Sequence, residues 1–251
     1  MIFFTASQCI LVTGASSGIG RAVALRCNEL GATVIAHGRD CGTLLESREM
    51  SGDPSRFHTE QRDLAEDMDS LPVWVKGLRE KYGKLHGLVP CAGFARLMPL
   101  RAYSRKEAQE LLDIHFHVPL LLAKGFADRR NNAGTGASIV FMASAAAIAR
   151  EAGLIAYGGA KAALAAAAGI LSRELARQGI RVNTLAPGVV KTPMGEEYLS
   201  FLSEEAREQE TAAYPLGLGE PGDVANMAAF LLSDAGKRIT GQTVVIAGGR
   251  Y

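Results

Sequence analysis

The sequence predicts an α/β fold, a doubly wound parallel sheet of about seven strands with helices on both faces. Three observations predict it. Short, nearly continuous apolar runs alternate with stretches of helical spacing, as expected of strands buried on both faces and joined by crossover helices. Hydrophobic residues make up 48% of the 251, enough for a large core. A glycine-rich turn, TGASSGIG, separates the first apolar run from the first helical stretch.

The elements follow in order. CILVTG (9–14) is a β-branched strand ending in glycine. IGRAVALRCNELG follows with helical spacing: Ile19, Val23 and Leu30 share a face, and Gly31 stops the helix. ATVIAHG (32–38) is the second strand and SRFHTEQRDL (55–64) carries the third. LPVWVKGLREKYG is an amphipathic helix ending at Gly83, and LHGLVPCAG (85–93) is the fourth strand. Residues 105–130 form one long helical pattern with a bend expected at Pro119. ASIVFMAS (137–144) is the fifth strand, followed by an Ala-rich helix to Gln178 with Gly179 behind it. IRVNTLAPG (180–188) is the sixth strand, PGDVANMAAFLLSD (221–234) a helix, and QTVVIAGG (242–249) the last strand.

No repeat or linker interrupts this pattern, so residues 1–251 are expected to form one domain. Its least regular part, Thr192 to Pro221, is charged and fenced by proline and glycine, which suits a flap. The net charge of +1 and the lack of a basic run argue against a nucleic-acid partner. No run approaches ~18 apolar residues, so no membrane span is expected. The N-terminal stretch has no basic region before its apolar run, which argues against a signal peptide. Cys9, Cys27, Cys41 and Cys91 form no metal-like spacing, so no metal is expected. Free thiols fit a reducing, cytoplasmic setting.

In a doubly wound sheet, ligands bind beyond the carboxyl ends of the strands, so the residues just after each strand are the informative ones. The first turn offers Gly14, Ser16, Ser17, Gly18, Ile19 and Gly20. Gly14 permits the tight turn, Gly18 lets a pyrophosphate approach the backbone, and Gly20 lets the helix pack close. The helix N-terminus supplies free N–H groups. This is the dinucleotide turn of a Rossmann-type fold. After the second strand the place of a ribose-binding acid falls on Gly38, with Arg39 next. Glycine leaves room for a 2′-phosphate and a guanidinium suits it, so NADP(H) is expected. A second assignment stays open, with Arg39 as a solvated turn residue and Asp40 as the ribose acid of NAD(H). Asp63, after the third strand, could bond the adenine amino group on the strength of its position, with Leu64 beside it in the cofactor site.

With this turn, Ser144 after the fifth strand, and Tyr157 and Lys161 in YGGAK, the chain resembles the classical short-chain dehydrogenase/reductase family. CAG after the fourth strand, APGVVKT and ITGQTVVIAGG complete the resemblance, which covers essentially the whole chain. It implies an oxidoreductase that interconverts a ketone or 3-oxo group and a secondary alcohol by hydride transfer. Tyr157 would be the general acid/base. Lys161, one helical turn on, would lower the tyrosine pKa from its usual ~10 and hold the nicotinamide ribose. Ser144 would bond the substrate oxygen. Cys91, Ala92, Gly93, Pro187, Gly188, Val190 and Thr192 would complete the cofactor site, and Thr192 could also cap the flap helix. Phe94, Met98, Ala145, Ala146, Val189 and Met194, with Tyr198 a further candidate, would line the substrate side and favour an apolar small molecule. Family members are commonly tetramers, so a homo-oligomer, tetramer or dimer, is expected.

Three departures stand against the resemblance. Cys91 replaces the family asparagine after the fourth strand and cannot make its paired amide bonds. It is either a reactive thiol or, the favoured reading, an inert filler. His115 takes the place of a second asparagine, whose main-chain carbonyl helps hold a relay water in the family. It could support that water, titrate and join the relay, or merely pack at the helix bend. PLGLGEP lacks the arginine of the related PLGR pattern. Two alternatives to a small-ketone reductase remain. A 3-oxoacyl-carrier-protein reductase would need a basic patch near the flap, which Arg96, Arg101, Arg105 and Lys106 could offer. The other is a non-catalytic NADP-binding regulator. A sugar-nucleotide epimerase or dehydratase is disfavoured by chain length.

Overall fold

The computed structural model describes residues 2–251. Seven strands form one parallel sheet: β1 (Cys9–Thr13), β2 (Thr33–Gly38), β3 (Phe57–Gln61), β4 (Leu85–Pro90), β5 (Ser138–Met142), β6 (Arg181–Pro187) and β7 (Thr243–Ile246). Their order is β3-β2-β1-β4-β5-β6-β7. The direction of winding reverses between β1 and β4, which makes the crevice beyond their carboxyl ends the expected ligand site.

Alternation along β1 builds the two faces. Ile10 and Val12 enter one core with Val23 and Ala24 of α1 (Gly18–Glu29). Val224 and Ala228 of α10 (Pro221–Leu232) join the same core. Cys9 and Leu11 point the other way, to α3 (Leu71–Tyr82), α5 (Val118–Ala127) and α7 (Ile155–Leu175). Phe126, Phe141 and Leu122 are fully buried on that side, each contributing ~1.5–3 kcal/mol of transfer free energy. Helix α7 and its following turn are long and apolar enough to cross a membrane. Leu164, Ala168 and Leu175 nevertheless pack in the core against the sheet.

Two expectations are refined. The crossover between β2 and β3 contains a helix the periodicity missed, α2 (Cys41–Glu49). It buries only Leu44 and Ser47, too few to print an apolar stripe. The long middle pattern divides into α4 (Arg105–Leu112), a π turn at Asp113–His117, and α5. The irregularity precedes Pro119, because proline is tolerated in the first turn of α5 but cannot donate backward into the preceding turn. The 192–221 segment holds α8 (Pro193–Ser200) and α9 (Glu204–Ala212). Between β5 and α7 lies the short α6 (Ala146–Ala149).

Candidate active site

Beyond the carboxyl ends of β1, β4, β5 and β6 lies one cavity of about 590 Å³. Gly14, Ser16, Ser17, Gly18, Ile19 and Gly20 line one end. Gly14 has φ +67°, and a Cβ there would meet the Ala92 nitrogen at 2.7 Å. A Cβ on Gly20 would meet the Gly14 carbonyl at 2.1 Å. Only glycine fits either position. Ser17, the N-cap of α1, makes no side-chain cap bond, so first-turn N–H groups stay available for an anion. These features fit the pyrophosphate of a dinucleotide.

The end expected to take the adenosine is formed by residues following β2 and β3. Gly38, Arg39, Asp63 and Leu64 all line it. A Cβ on Gly38 would press on Leu44 and Ser16 at 3.2 and 3.3 Å. Asp40 turns its carboxylate to the Thr43 N–H at 2.8 Å and caps α2, which lowers its pKa. Arg39 is exposed at the rim. Asp63 accepts the Ala65 N–H at 2.9 Å.

Ser144 stands just past β5, between two backbone anchors: Ala143 N–H to the Leu185 carbonyl, 2.8 Å, and Ala145 N–H to the Pro187 carbonyl, 2.7 Å. Tyr157 lies in the first turn of α7 and Lys161 one turn on. All three line the cavity. Burial raises the Tyr157 pKa and the Ser144 hydroxyl partly offsets the rise. Lys161 is buried, donates to the Met142 carbonyl at 2.6 Å, and is pushed down to about 8 by burial. Its nitrogen is 5.7 Å from the Tyr157 ring centroid. In this geometry the ammonium is tied to backbone, and the Tyr157 hydroxyl sits above its ordinary pKa, against the lowering expected from Lys161.

Cys91 also lines the cavity. Burial pushes its thiol up to about 12, which disfavours the thiolate that a reactive-cysteine role would need. Its N–H donates to the Thr13 carbonyl at 3.2 Å, keeping Ala92 and Gly93 against the turn.

His115 lies inside the π turn and is 2% exposed. Its Nε2 donates to the Phe94 carbonyl at 2.6 Å, which leaves Nδ1 as an unprotonated acceptor. The ring meets Tyr157 edge-on at 5.1 Å. Burial and the Lys161 charge hold its pKa well below the ordinary histidine value. Burial thus disfavours the charged imidazolium that a titrating relay role would need. Pro119, four residues on, has no N–H to offer the His115 carbonyl, so that carbonyl has no α-helical partner.

Of the residues expected on the substrate side, Phe94, Ala145, Ala146, Val189, Met194 and Tyr198 line the cavity. Met98 does not. It is 1% exposed and packs with Ala108, Leu111 and Ala156 beneath Phe94 and Tyr157. Its N–H is bound to the Gly153 carbonyl at 2.6 Å, so the chain turns inward there and the side chain becomes core. Pro187, Gly188, Val190 and Thr192 close the floor. The Thr192 hydroxyl caps α8 by accepting the Gly195 N–H at 3.1 Å. Sequence reasoning missed Glu151, Tyr214 and Tyr251, which also line the cavity. They arrive from three separate segments, and no local pattern marks them.

This arrangement joins a dinucleotide cradle to a serine, a tyrosine and a lysine, the parts needed to move a proton beside a hydride carrier. The comparisons agree. A family model described as enoyl-(acyl carrier protein) reductase matches residues 14–250. The 3-oxoacyl-[acyl-carrier-protein] reductase FabG of Thermotoga maritima is 34% identical over 95% of this chain and 96% of its own. The (3R)-3-hydroxyacyl-CoA dehydrogenase of Rattus norvegicus is 31% identical over 98% and 96%. A Brucella melitensis structure described as a short-chain dehydrogenase/reductase, glucose/ribitol dehydrogenase, superposes with a TM-score of 0.90 at 31% identity, covering 100% of this chain and 99% of that one. The chain belongs to the classical short-chain dehydrogenase/reductase family, NAD(P)(H)-dependent oxidoreductases acting on CH–OH and C=O groups.

Proposed function

We propose that this chain is an NADP(H)-dependent oxidoreductase of a small-molecule ketone or 3-oxo compound and its secondary alcohol, with Tyr157 as general acid/base. The observation that carries it is the meeting of Ser144, Tyr157 and Lys161 in the cavity that also holds the glycine turn. Gly14, Ser16, Ser17, Gly18, Ile19 and Gly20 would hold the pyrophosphate. Asp63, Leu64, Cys91, Ala92 and Gly93 would flank the adenosine and ribose, and Pro187, Gly188, Val190 and Thr192 the nicotinamide. When bound, the nicotinamide supplies or accepts the hydride.

The chain's own residues handle the proton. Ser144 donates to the substrate oxygen and steadies its developing charge. Tyr157 gives its hydroxyl proton to that oxygen in reduction and takes it back in oxidation. Burial keeps the proton on Tyr157 at neutral pH, which suits reduction; oxidation needs tyrosinate and gains as pH rises. Lys161 stays cationic below about pH 8 and favours tyrosinate as the proton leaves. His115 acts through its carbonyl and as a neutral ring, not as a titrating base.

NADP(H) is favoured over NAD(H) because Asp40 is committed to capping α2 while Gly38 and Arg39 face the cavity. The chain is read as one domain with the flap at about 192–221, as a homo-oligomer using the outward face of α7, where Ile155 and Ile170 are exposed, and as cytoplasmic. The small apolar half of the pocket next to Tyr157 suits a compact carbonyl. A carrier-protein substrate is the second reading, favoured by the relatives' names. Against it, residues 192–221 carry seven glutamates and one arginine, and Arg96 is paired with Glu107 and Glu110.

Titration by nicotinamide fluorescence tests the cofactor assignment. Arg39→Ala should weaken NADPH about 10- to 100-fold and leave NADH nearly unchanged. Equal NADPH and NADH affinities in the wild type, unmoved by the substitution, would refute it.

A further inference from the structure

One stretch of the cavity wall carries polar groups that the hydride and proton steps do not use. Glu151, Tyr198, Tyr214 and Tyr251 line it. Behind them Arg250 binds Glu151 at 3.1 Å and also pairs with Glu210 of α9. Its guanidinium stacks over Tyr214 at 4.9 Å and Tyr251 at 5.3 Å. One side chain thus ties the loop before α7, the flap and the segment after β7 around the substrate. Arg150 next to Glu151 is the one non-glycine residue with positive φ, +59°, among the described residues. Such a conformation persists where the surroundings over-determine it. The Met98 N–H on the Gly153 carbonyl anchors the same loop from below.

We propose that this wall reads a neutral, hydroxyl-bearing end of the substrate, with Glu151 as the specificity-determining acceptor and Arg250 as the positioning residue that holds it. The inference rests on the cavity being a C=O/CH–OH site.

Three arguments carry it. The first is the set of hydrogen-bonding groups on offer. Arg250 and the Tyr251 hydroxyl both donate to the same Glu151 oxygen, Oε1, and the other oxygen has no protein donor among the described residues. The Tyr214 hydroxyl accepts the Val189 N–H at 3.0 Å and keeps its own hydrogen to give. Tyr198 is pushed up to about 12 by burial and by the charges of Glu210 and Glu151, so it remains a donor. One free acceptor beside two free donors matches neighbouring hydroxyls, each of which gives and takes a hydrogen bond.

The second argument is charge. Glu110, Asp113 and Glu151 line the cavity, Glu110 and Glu151 paired with Arg96 and Arg250, which do not line it. The lysine and arginine that line the cavity are Lys161 at the reaction centre and Arg39 at the adenosine end. A phosphate or carboxylate on the substrate would face carboxylates with no lining cation to meet it.

The third argument is desolvation. A wholly apolar body would strip water from Glu151 and two phenols and return no hydrogen bonds, costing ~1–3 kcal/mol per neutral group and more for the charge. The substrate that satisfies both halves has a compact carbonyl or carbinol carbon beside Ala145, Ala146 and Val189, and hydroxyls at its far end.

The test uses the intact enzyme with NADP⁺ and three kinds of secondary alcohol on one ring: cyclohexanol, cyclitols with two or more added hydroxyls, and 3-hydroxycyclohexane carboxylate. A cyclitol should exceed cyclohexanol in kcat/KM by at least about 100-fold, because a site built to bond hydroxyls rejects analogues lacking them. The carboxylate should be the poorest. Glu151→Gln and Glu151→Ala should each cut the cyclitol-to-cyclohexanol ratio about 10- to 100-fold, and Arg250→Lys should move it the same way by less. NADPH titration of each variant reports that the dinucleotide half is still folded. Preference for cyclohexanol or the carboxylate, or a ratio unmoved by both Glu151 variants, would overturn the inference while leaving the oxidoreductase reading intact. Failure of every alcohol with NADP⁺ bound would overturn both.

Discussion

The glycine-turn end of the cavity is made of backbone, and the wall around Glu151 is made of side chains. At the glycine turn, contacts are set by what is missing: a Cβ at Gly14 or Gly20 would strike Ala92 or Gly14 itself. At that wall, contacts are set by Glu151, Arg250, Tyr214 and Tyr251, brought together from positions up to 100 residues apart. A backbone-built site tolerates little change and can be shared by proteins with different substrates. A side-chain-built site can be rebuilt by a few substitutions. One fold thereby keeps its cofactor while its substrate varies.

Gly14→Ala should produce the largest break in this comparison. It strains a left-handed residue and pushes a methyl group into the Ala92 backbone, so NADPH affinity should fall by more than about 100-fold. Isothermal calorimetry would check it. An alanine variant that binds normally would mean the turn is not the cradle.

A smaller effect separates the catalytic border of the two halves. His115 is buried and neutral, as is His37, which burial pushes down to about 4. Both folded-state values lie below the unfolded ~6.5, so the unfolded chain binds more protons as pH drops below ~6.5. Stability is therefore full above that pH and is lost on acidification. At pH 5 His37 should cost on the order of 2 kcal/mol, and His115 should add to it in the same direction, seen as a falling Tm between pH 7 and pH 5. His115→Asn should flatten part of that fall. An unchanged slope would mean that His115 takes its proton in the folded state.

The same contrast explains what was legible in the sequence. The order of strands and helices along the chain and the turn at Gly14–Gly20 could be read because each depends on local spacing, whereas Ser144, Tyr157 and Lys161 were singled out by the family resemblance, and the structure brings the three to one cavity. The NADP(H) expectation rested on Gly38 and Arg39, and the capping role of Asp40 became visible only once α2 was seen. Helix α2 escaped notice because it buries two residues of nine. Met98 was placed on the substrate side, whereas it is 1% exposed, packs with Ala108, Leu111 and Ala156, and its N–H binds the Gly153 carbonyl. Glu151 and Arg250 could not have been paired from sequence, since their contact depends on how the flap and the end of β7 fold back.

The central claim is that the dinucleotide in this cavity is a reagent, with Tyr157 moving the proton. The most direct measurement sets ketone turnover beside NADPH affinity in wild type and Tyr157→Phe. The account predicts a loss in kcat of about 10²- to 10⁴-fold with NADPH affinity kept within ~3-fold. Turnover that survives the loss of the hydroxyl, or a wild type that binds NADPH and reduces no ketone, would contradict it and leave a dinucleotide-binding regulator in its place.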